Sequence, residues 1–430
     1  MALLDCRDTL ISLWQDGNAI YSPGFVLLDG SEYRFGQAAL EQSRLRPRDS
    51  NSRFWWQLST QPLKPSLGAA RHTADLVHSH LRHIHEAGGE PDSLVLAVPE
   101  SMPPEQLSLL LGVAQACTFT VTGLVSRSVL IASSSPVFAS HARALHLEAQ
   151  LNQTIINELV LDDGTVRVVR STPLPACGLL SLQERCASAI ASAFIQQTRF
   201  DPRRSASSEQ ALYNMLPNIL DTLRSRGEAS VDIDGHRCRV TASALAGASE
   251  RLLAGLAQAR PNDGLPLLLD PELLQLPGME SIGGDVHTLA DNALWEAFSR
   301  QREGIVSTGA EVHLINRLSP LKAAAGKPAQ STQETIAAPA QNAAPSVAPA
   351  ASGAAGATHV LIGTRALPLR GERVELGGGF SLRHQQAHWT LHGDGGLING
   401  LPSTAQQPLS LGDTLSLGSA GHGRLIEVLD

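Results

Sequence analysis

Five histidines crowd one short stretch of the chain: His72, His78, His80, His83 and His85. Imidazole is the commonest metal ligand, and a pair on one helix face beside a carboxylate is a route to a metal site. Ala74, Val77, Leu81 and Ile84 recur at helical spacing, so residues 73–86 are expected to form a helix. On it His78 and His85 point one way, and His80 and His83 the other. Only the latter pair could share an ion, and no carboxylate stands at ligand spacing beside them. The expectation is a polar helix flank with no metal. The five cysteines (Cys6, Cys117, Cys177, Cys186, Cys238) are odd in number and widely spaced, with no Cys-x-x-Cys. They read as reduced thiols, not as a disulfide framework or a zinc site. The sequence holds no Gly-x-Ser-x-Gly, Walker loop or His-Glu-x-x-His. Phe54, Trp55 and Trp56 are expected in a core.

These residues need a scaffold, and composition permits one. Hydrophobic residues make up 43% of the 430 and charged residues 17%, enough for a sizeable core in two or more domains. Lys plus Arg number 33 against 41 Asp plus Glu, a formal charge of −8, so the basic surplus that a phosphate backbone demands is missing. No apolar run approaches the roughly 18 residues of a membrane span. Asp5, Arg7 and Asp8 interrupt the apolar stretch of a signal peptide. The expectation is a cytoplasmic protein whose partners are other proteins, not nucleic acid or membrane.

Strands are expected at 7–14, 19–28, 93–98, 144–161, 165–170 and 266–269, with a further hairpin over 229–240. Helices are expected at 105–116, 182–197, 208–226, 242–259 and 287–303. This mixture indicates an α/β fold. From 322 to 357 the composition falls to Ala, Pro, Gln, Ser and Gly. Such a stretch buries too little surface to offset its ordering entropy and is expected to be a disordered tether. The division is therefore 1–318, a linker at 319–357, and 358–430.

Several strings, in this order, resemble the actin-like ATPase domain of the DnaK-type heat-shock chaperones. Tyr21-Ser-Pro-Gly-Phe-Val and Gly36-Gln-Ala-Ala are similar to that family's P-S-x-V and G-x-x-A. Leu94-Val-Leu-Ala-Val-Pro-Glu-Ser-Met resembles its A-V-I-T-V-P-A-x-F, and Thr120-Val-Thr-Gly-Leu-Val its G-L-x-V. Residues 201–259 look like the helix–hairpin–helix subdomain over the nucleotide. The resemblance implies an α/β actin-like fold, a duplicated ribonuclease H-like ATPase fold, for residues 1–318.

That family grips phosphate with glycine turns, whose bare amides approach the oxygens closely. Its Asp-x-Gly-Thr-Thr corresponds to Asp5-Cys6-Arg7-Asp8-Thr9, and its Asp-Leu-Gly-Gly-Gly-Thr to His146-Leu147-Glu148-Ala149-Gln150-Leu151. Its Gly-Gly-Glu falls near Gly178-Leu179-Leu180, and its Gly-Gly-Ser-x-Arg on Asp270-Pro271-Glu272-Leu273-Leu274. Side chains replace glycines, Glu148 and Asp270 set negative charge against phosphate, and Pro271 removes an amide donor. Asp5, Thr9, His146, Glu148, Gly178 and Asp270 therefore mark a degenerate nucleotide site. No catalytic residue, and neither ATP nor magnesium as cofactor, is expected of this pseudo-ATPase.

The tail, 358–430, reads as short strands between Gly, Asp and Asn turns, a small all-β sandwich. It is similar to the forkhead-associated family, which reads phosphothreonine, at Gly363-Thr-Arg365, Ser381-Leu-Arg-His384, Asn399-Gly400 and Gly412-Asp413. The resemblance implies phosphopeptide contacts at Arg365, Ser381, His384 and Asn399. The expected function is a non-catalytic adaptor or scaffold joining a chaperone-like pseudo-ATPase to a protein-interaction domain. The alternatives are a divergent ATP-dependent chaperone, a sugar-kinase-like phosphotransferase on the same superfold, and a phosphothreonine reader.

Overall fold

The first apolar run of the chain, Ala2–Asp5, is fully buried and forms β1, a strand that the expected pattern omits. The computed structural model describes residues 1–260, 264–307 and 312–321, and from the tail 358–362, 365–377, 379–385, 388–393, 396–398, 401–402, 407–409, 413–417 and 422–426. Two units divide the chain, Met1–Ala329 and Gln330–Asp430. The expected tether at 322–357 lies outside the described residues.

β2 (Ile11–Gln15) pairs antiparallel with β1, and β3 (Asn18–Ser22) with β2. β4 (Ser93–Val98) and β5 (Thr120–Ser126) continue in parallel on the other side, giving the order β5-β4-β1-β2-β3. The chain then repeats the plan. β6 (Arg143–Ala149), β7 (Thr154–Asp162) and β8 (Thr165–Leu174) form a meander, and β9 (Leu267–Leu269) and β10 (Val286–Thr288) add in parallel beside β6. The second order, β10-β9-β6-β7-β8, matches the first position for position. Leu314–Ile315 then joins the free edge of β5 and Arg317–Leu318 that of β8, so each sheet has six strands.

Strand alternation sends neighbouring side chains to opposite faces. Ala2 and Leu4 enter one core with α1 (Thr73–Ala87) and α2 (Pro104–Gln115). Leu3 enters another with α3 (Arg127–Ser134), to which both sheets contribute through Val95, Ala97, Leu159 and Leu268. The second sheet's other face packs on α4 (Leu179–Thr198), and this core runs on into α5 (Ala206–Arg226), the hairpin Glu228–Ile233/His236–Thr241 and α6 (Glu250–Ala259). α7 (Ala293–Ile305) adds Leu294, Ala297 and Phe298 to the core shared by the two sheets.

Several expected elements differ. The strand expected at 19–28 divides into Asn18–Ser22 and Val26–Asp29, and that expected at 144–161 into β6 and β7. The strand expected from Arg7 starts at Ile11, because residues 6–10 turn back from β1 and carry charges into the interior. The helix expected from His287 starts at Ala293, because pairing with β9 claims residues 286–288. The helix expected over 242–259 breaks into Ala242–Leu245, a 3₁₀ turn at Ala246–Ala248 and α6. Gly247, a poor helix former, sits in that break.

In the tail, one sheet orders Arg365–Pro368, His359–Ile362, His422–Ile426, Thr414–Ser416, Leu397–Ile398 and Leu401–Pro402. The other orders Arg373–Gly377, Phe380–Gln385, His388–His392 and Pro408–Leu409. Val360, Leu382, Leu391, Leu415 and Leu425 share one core drawn from both sheets. Among the described residues no helix is long and apolar enough to cross a membrane.

Candidate functional site

The ends of β1, β5, β6 and β9 deliver charged residues to one buried place. β1 ends on Asp5, and the turn that follows is fixed by the Arg7 amide donating to Asp5 Oδ1 at 3.1 Å. α3 begins directly after β5, its start capped by Ser126 Oγ accepting from the Val129 amide at 3.1 Å, and this positions Arg127. His146 and Glu148, two residues apart on β6, share a face of the sheet. Asp270 closes β9, and Pro271 opens the short helix that carries Glu272.

Arg7 and Arg127 are 6% and 4% exposed. Arg7 donates to both oxygens of Glu272 at 2.7 and 2.8 Å and to Asp270 Oδ2 at 3.0 Å. Arg127 donates to Asp5 Oδ2 at 3.1 Å, to Asp270 Oδ1 at 3.0 Å and to Glu148 Oε2 at 3.4 Å. The Ala149 amide adds a bond to Asp270 at 3.0 Å. Burial alone would raise the pKa of Asp270. The guanidiniums of Arg127 and Arg7, with the His146 hydrogen bond, overcome that and hold it well below the usual carboxylate range. Burial likewise opposes the charge on Arg127, but Asp270 and Asp5 fix it as a cation.

A directed relay supports the network. Ser171 Oγ donates to Asn157 Oδ1 at 2.6 Å, and Asn157 Nδ2 donates to Ser128 Oγ at 2.9 Å. Ser128 bonds His146 Nδ1 at 2.9 Å, and His146 Nε2 reaches Asp270 Oδ1 at 3.4 Å. The Ser128–His146–Asp270 line has the composition of a hydrolase triad, but all of it is buried and its aspartate is committed to two arginines. It orients side chains and offers no nucleophile to a substrate.

The sequence-derived positions Asp5, His146, Glu148 and Asp270 thus meet in one network, with Thr9 beside it, donating to the Ala149 carbonyl at 3.3 Å. Gly178 stands further along, at the start of α4. A Cβ there would lie 2.2 Å from the Asn152 carbonyl carbon and 2.4 Å from the Gln153 nitrogen, so only glycine fits. Where the resembled family has its second glycine loop, β6 continues as regular strand, with Glu148 paired to Ile155 and Ala149 to Thr154.

In the tail, Ser381 is 3% exposed, inside the sandwich, while His384 is exposed and lies 5.0 Å from the Trp389 ring. Arg365 begins the strand Arg365–Pro368, and Asn399 lies outside the described residues.

The histidine helix is not the polar flank expected. His80 and His85 are buried. Trp55 Nε1 donates to His80 Nδ1 at 3.0 Å, which leaves His80 Nε2 to donate to Ser22 Oγ at 2.7 Å. Burial, with His83 nearby, lowers the His80 pKa to about 3, so it is a neutral core residue. Among the described residues no cluster of His, Cys, Asp and Glu is arranged to hold a metal.

No protein-family model matches the chain, and no curated protein matches it. Sequence reasoning missed Arg127, Glu272 and the pairing of Arg7 with both halves. The available signal for Arg127 was a lone arginine inside the apolar string Leu124-Val-Ser-Arg-Ser-Val-Leu-Ile-Ala, which must bury its charge against carboxylates or leave it uncompensated.

Proposed function

We propose that residues 1–318 form an actin-like, duplicated ribonuclease H-like module that neither binds nor hydrolyses ATP, and that the chain is a non-catalytic adaptor. The repeated strand order, with matching positions in both sheets, supports that fold. The observation that carries the loss of nucleotide is Arg7. It replaces the first phosphate-loop glycine of the resembled family, and its guanidinium is bonded to Asp270 and Glu272 of the opposite half. The residues that would face phosphate are carboxylates already matched to arginine, and positions 146–149 of the second loop are strand. In this reading an internal ion network does the bridging that a nucleotide does in an ATPase, and the module is a fixed platform in place of a cycling one.

The tail serves as a forkhead-associated-like protein-interaction sandwich. Burial of Ser381 favours contacts that ignore phosphate over a phosphothreonine pocket. Calorimetry of the full chain with Mg-ATP tests the central claim: no binding heat and no phosphate release are expected. Micromolar affinity, or turnover abolished by Asp5→Ala, would overturn it.

A further inference from the structure

We propose that a cavity of about 400 Å³ beside the arginine network, lined by Asp8, Glu100, Trp55, Trp56, Met102 and Gln150 among others, binds an alkyl guanidinium or ammonium group. The inference goes beyond the adaptor reading and does not depend on it.

The cavity combines an indole wall with acid that has no base. Trp55 is core, while Trp56 is 39% exposed and offers its ring to an entering group. Asp8 is 5% exposed and accepts from the Leu151 amide at 2.8 Å. Glu100 takes a hydrogen bond from Ser126 Oγ. Among the described residues neither carboxyl has an ion pair, and no Arg, Lys or His lines the cavity. The nearest cations, Arg7 and Arg127, are engaged by Glu272, Asp270, Asp5 and Glu148.

The groups facing the two carboxyls agree. Burial raises Asp8 to about 7, opposed by the Leu151 amide and by Arg7 and reinforced by Glu148. Burial raises Glu100 to about 7, opposed by the Ser126 hydroxyl and reinforced by Glu148. The Cys6 thiol, pushed up by burial and by Asp5, brings no charge. An organic cation would supply the missing counter-charge, lay its alkyl part against Met102 and the indoles, and favour the loss of one carboxyl proton. A phosphate would meet two carboxyls and no Arg, Lys or His to match its charge.

The test uses the full chain, its tryptophan fluorescence, and N-butylguanidinium with its neutral isostere N-butylurea. Saturable change is expected with the guanidinium and none with the urea. Because the cation favours ionised carboxyls, affinity should rise about tenfold from pH 6 to pH 8. Glu100→Gln should weaken binding at least about fivefold and flatten the pH profile, and Trp56→Phe should remove most of the signal. The peptide acetyl-Gly-Arg-Gly-amide separates the sources. Binding of the peptide alone identifies an arginine of a partner protein, and binding of the free guanidinium alone identifies a small amine. Equal response to the urea, a pH-independent affinity, or no saturation with either cation overturns the proposal. The pH profile of the unsubstituted chain decides the matter even where a variant fails to fold.

Discussion

Arg127→Met removes one charge and keeps most of the side-chain volume, so its effect isolates the ion network. The guanidinium is 4% exposed and holds Asp5, Glu148 and Asp270 at 3.1, 3.4 and 3.0 Å. Without it Asp5 and Asp270 keep Arg7, which is itself shared with Glu272, and Glu148 loses its arginine partner. Breaking a buried pair by deleting one partner costs about 3–5 kcal/mol, and a unit-charge pair 4 Å apart at an intermediate dielectric gives ~4 kcal/mol. With a urea slope of about 3 kcal/mol/M the unfolding midpoint falls by roughly 1–1.7 M. The pH dependence carries a sign. In the unsubstituted protein the depressed pKa of Asp270 contributes stability that is present above about 3.9 and is lost as pH falls through the lower folded value. Once Arg127 is gone, burial of Asp270 is opposed by one arginine instead of two, and its pKa rises. That carboxyl then no longer contributes its stability above about 3.9, and to the extent that burial lifts it past the unfolded value the loss widens as pH rises. The penalty should therefore already be present at pH 5 and be larger at pH 7.5. Urea titrations at both values, followed by tryptophan fluorescence, measure it. A penalty below about 1 kcal/mol at pH 7.5, or one that does not grow from pH 5, would refute the reasoning.

Gly178→Ala should destabilise the fold by about 3 kcal/mol, because the new methyl meets backbone at residues 152–153 and no flexible side chain can yield; thermal unfolding measures this. The His80 ring should not titrate between pH 5 and 8 in NMR spectra, since its folded pKa is lowered to about 3, and a midpoint near 6.5 would contradict the core assignment. Phosphothreonine and unmodified peptides should bind the tail alike, given the burial of Ser381. A tenfold preference for phosphate that Arg365→Ala abolishes would sink that view.

The strands at 93–98 and 266–269 and the long helices were readable because their apolar residues repeat with a single period. β1 was not, although Ala2-Leu-Leu is as apolar as any of them. A stretch so short, ending in Asp5-Cys-Arg-Asp, carries no period of its own, and only pairing with β2 and β4 on both sides makes it the centre of a sheet. Residues 286–288 failed in the opposite direction: their sequence continues a helical pattern, and the free edge of β9 overrides it. At the site, glycine motifs located Asp5, Glu148 and Asp270, since a missing glycine is visible in a linear string. Arg127 was invisible to that method, because what makes it part of the site is the convergence of four strand ends far apart in sequence.

That convergence also leaves two regions of different character. At one end Arg7 and Arg127 meet Asp5, Glu148, Asp270 and Glu272 at hydrogen-bonding distances, so a ligand would have to displace interactions already made. At the other end Asp8 and Glu100 sit near the same backbone turns without a cation, and burial keeps both close to half-protonated at neutral pH. Two further arginines there would have completed a closed interior. Their absence leaves an electrostatic demand that is weak at pH 6 and strong at pH 8. A cavity with no ligand to hold would be filled at least cost by apolar side chains. Retaining an acidic, indole-walled cavity of about 400 Å³ with no Arg, Lys or His in its lining is instead the arrangement that the proposed organic cation would complete.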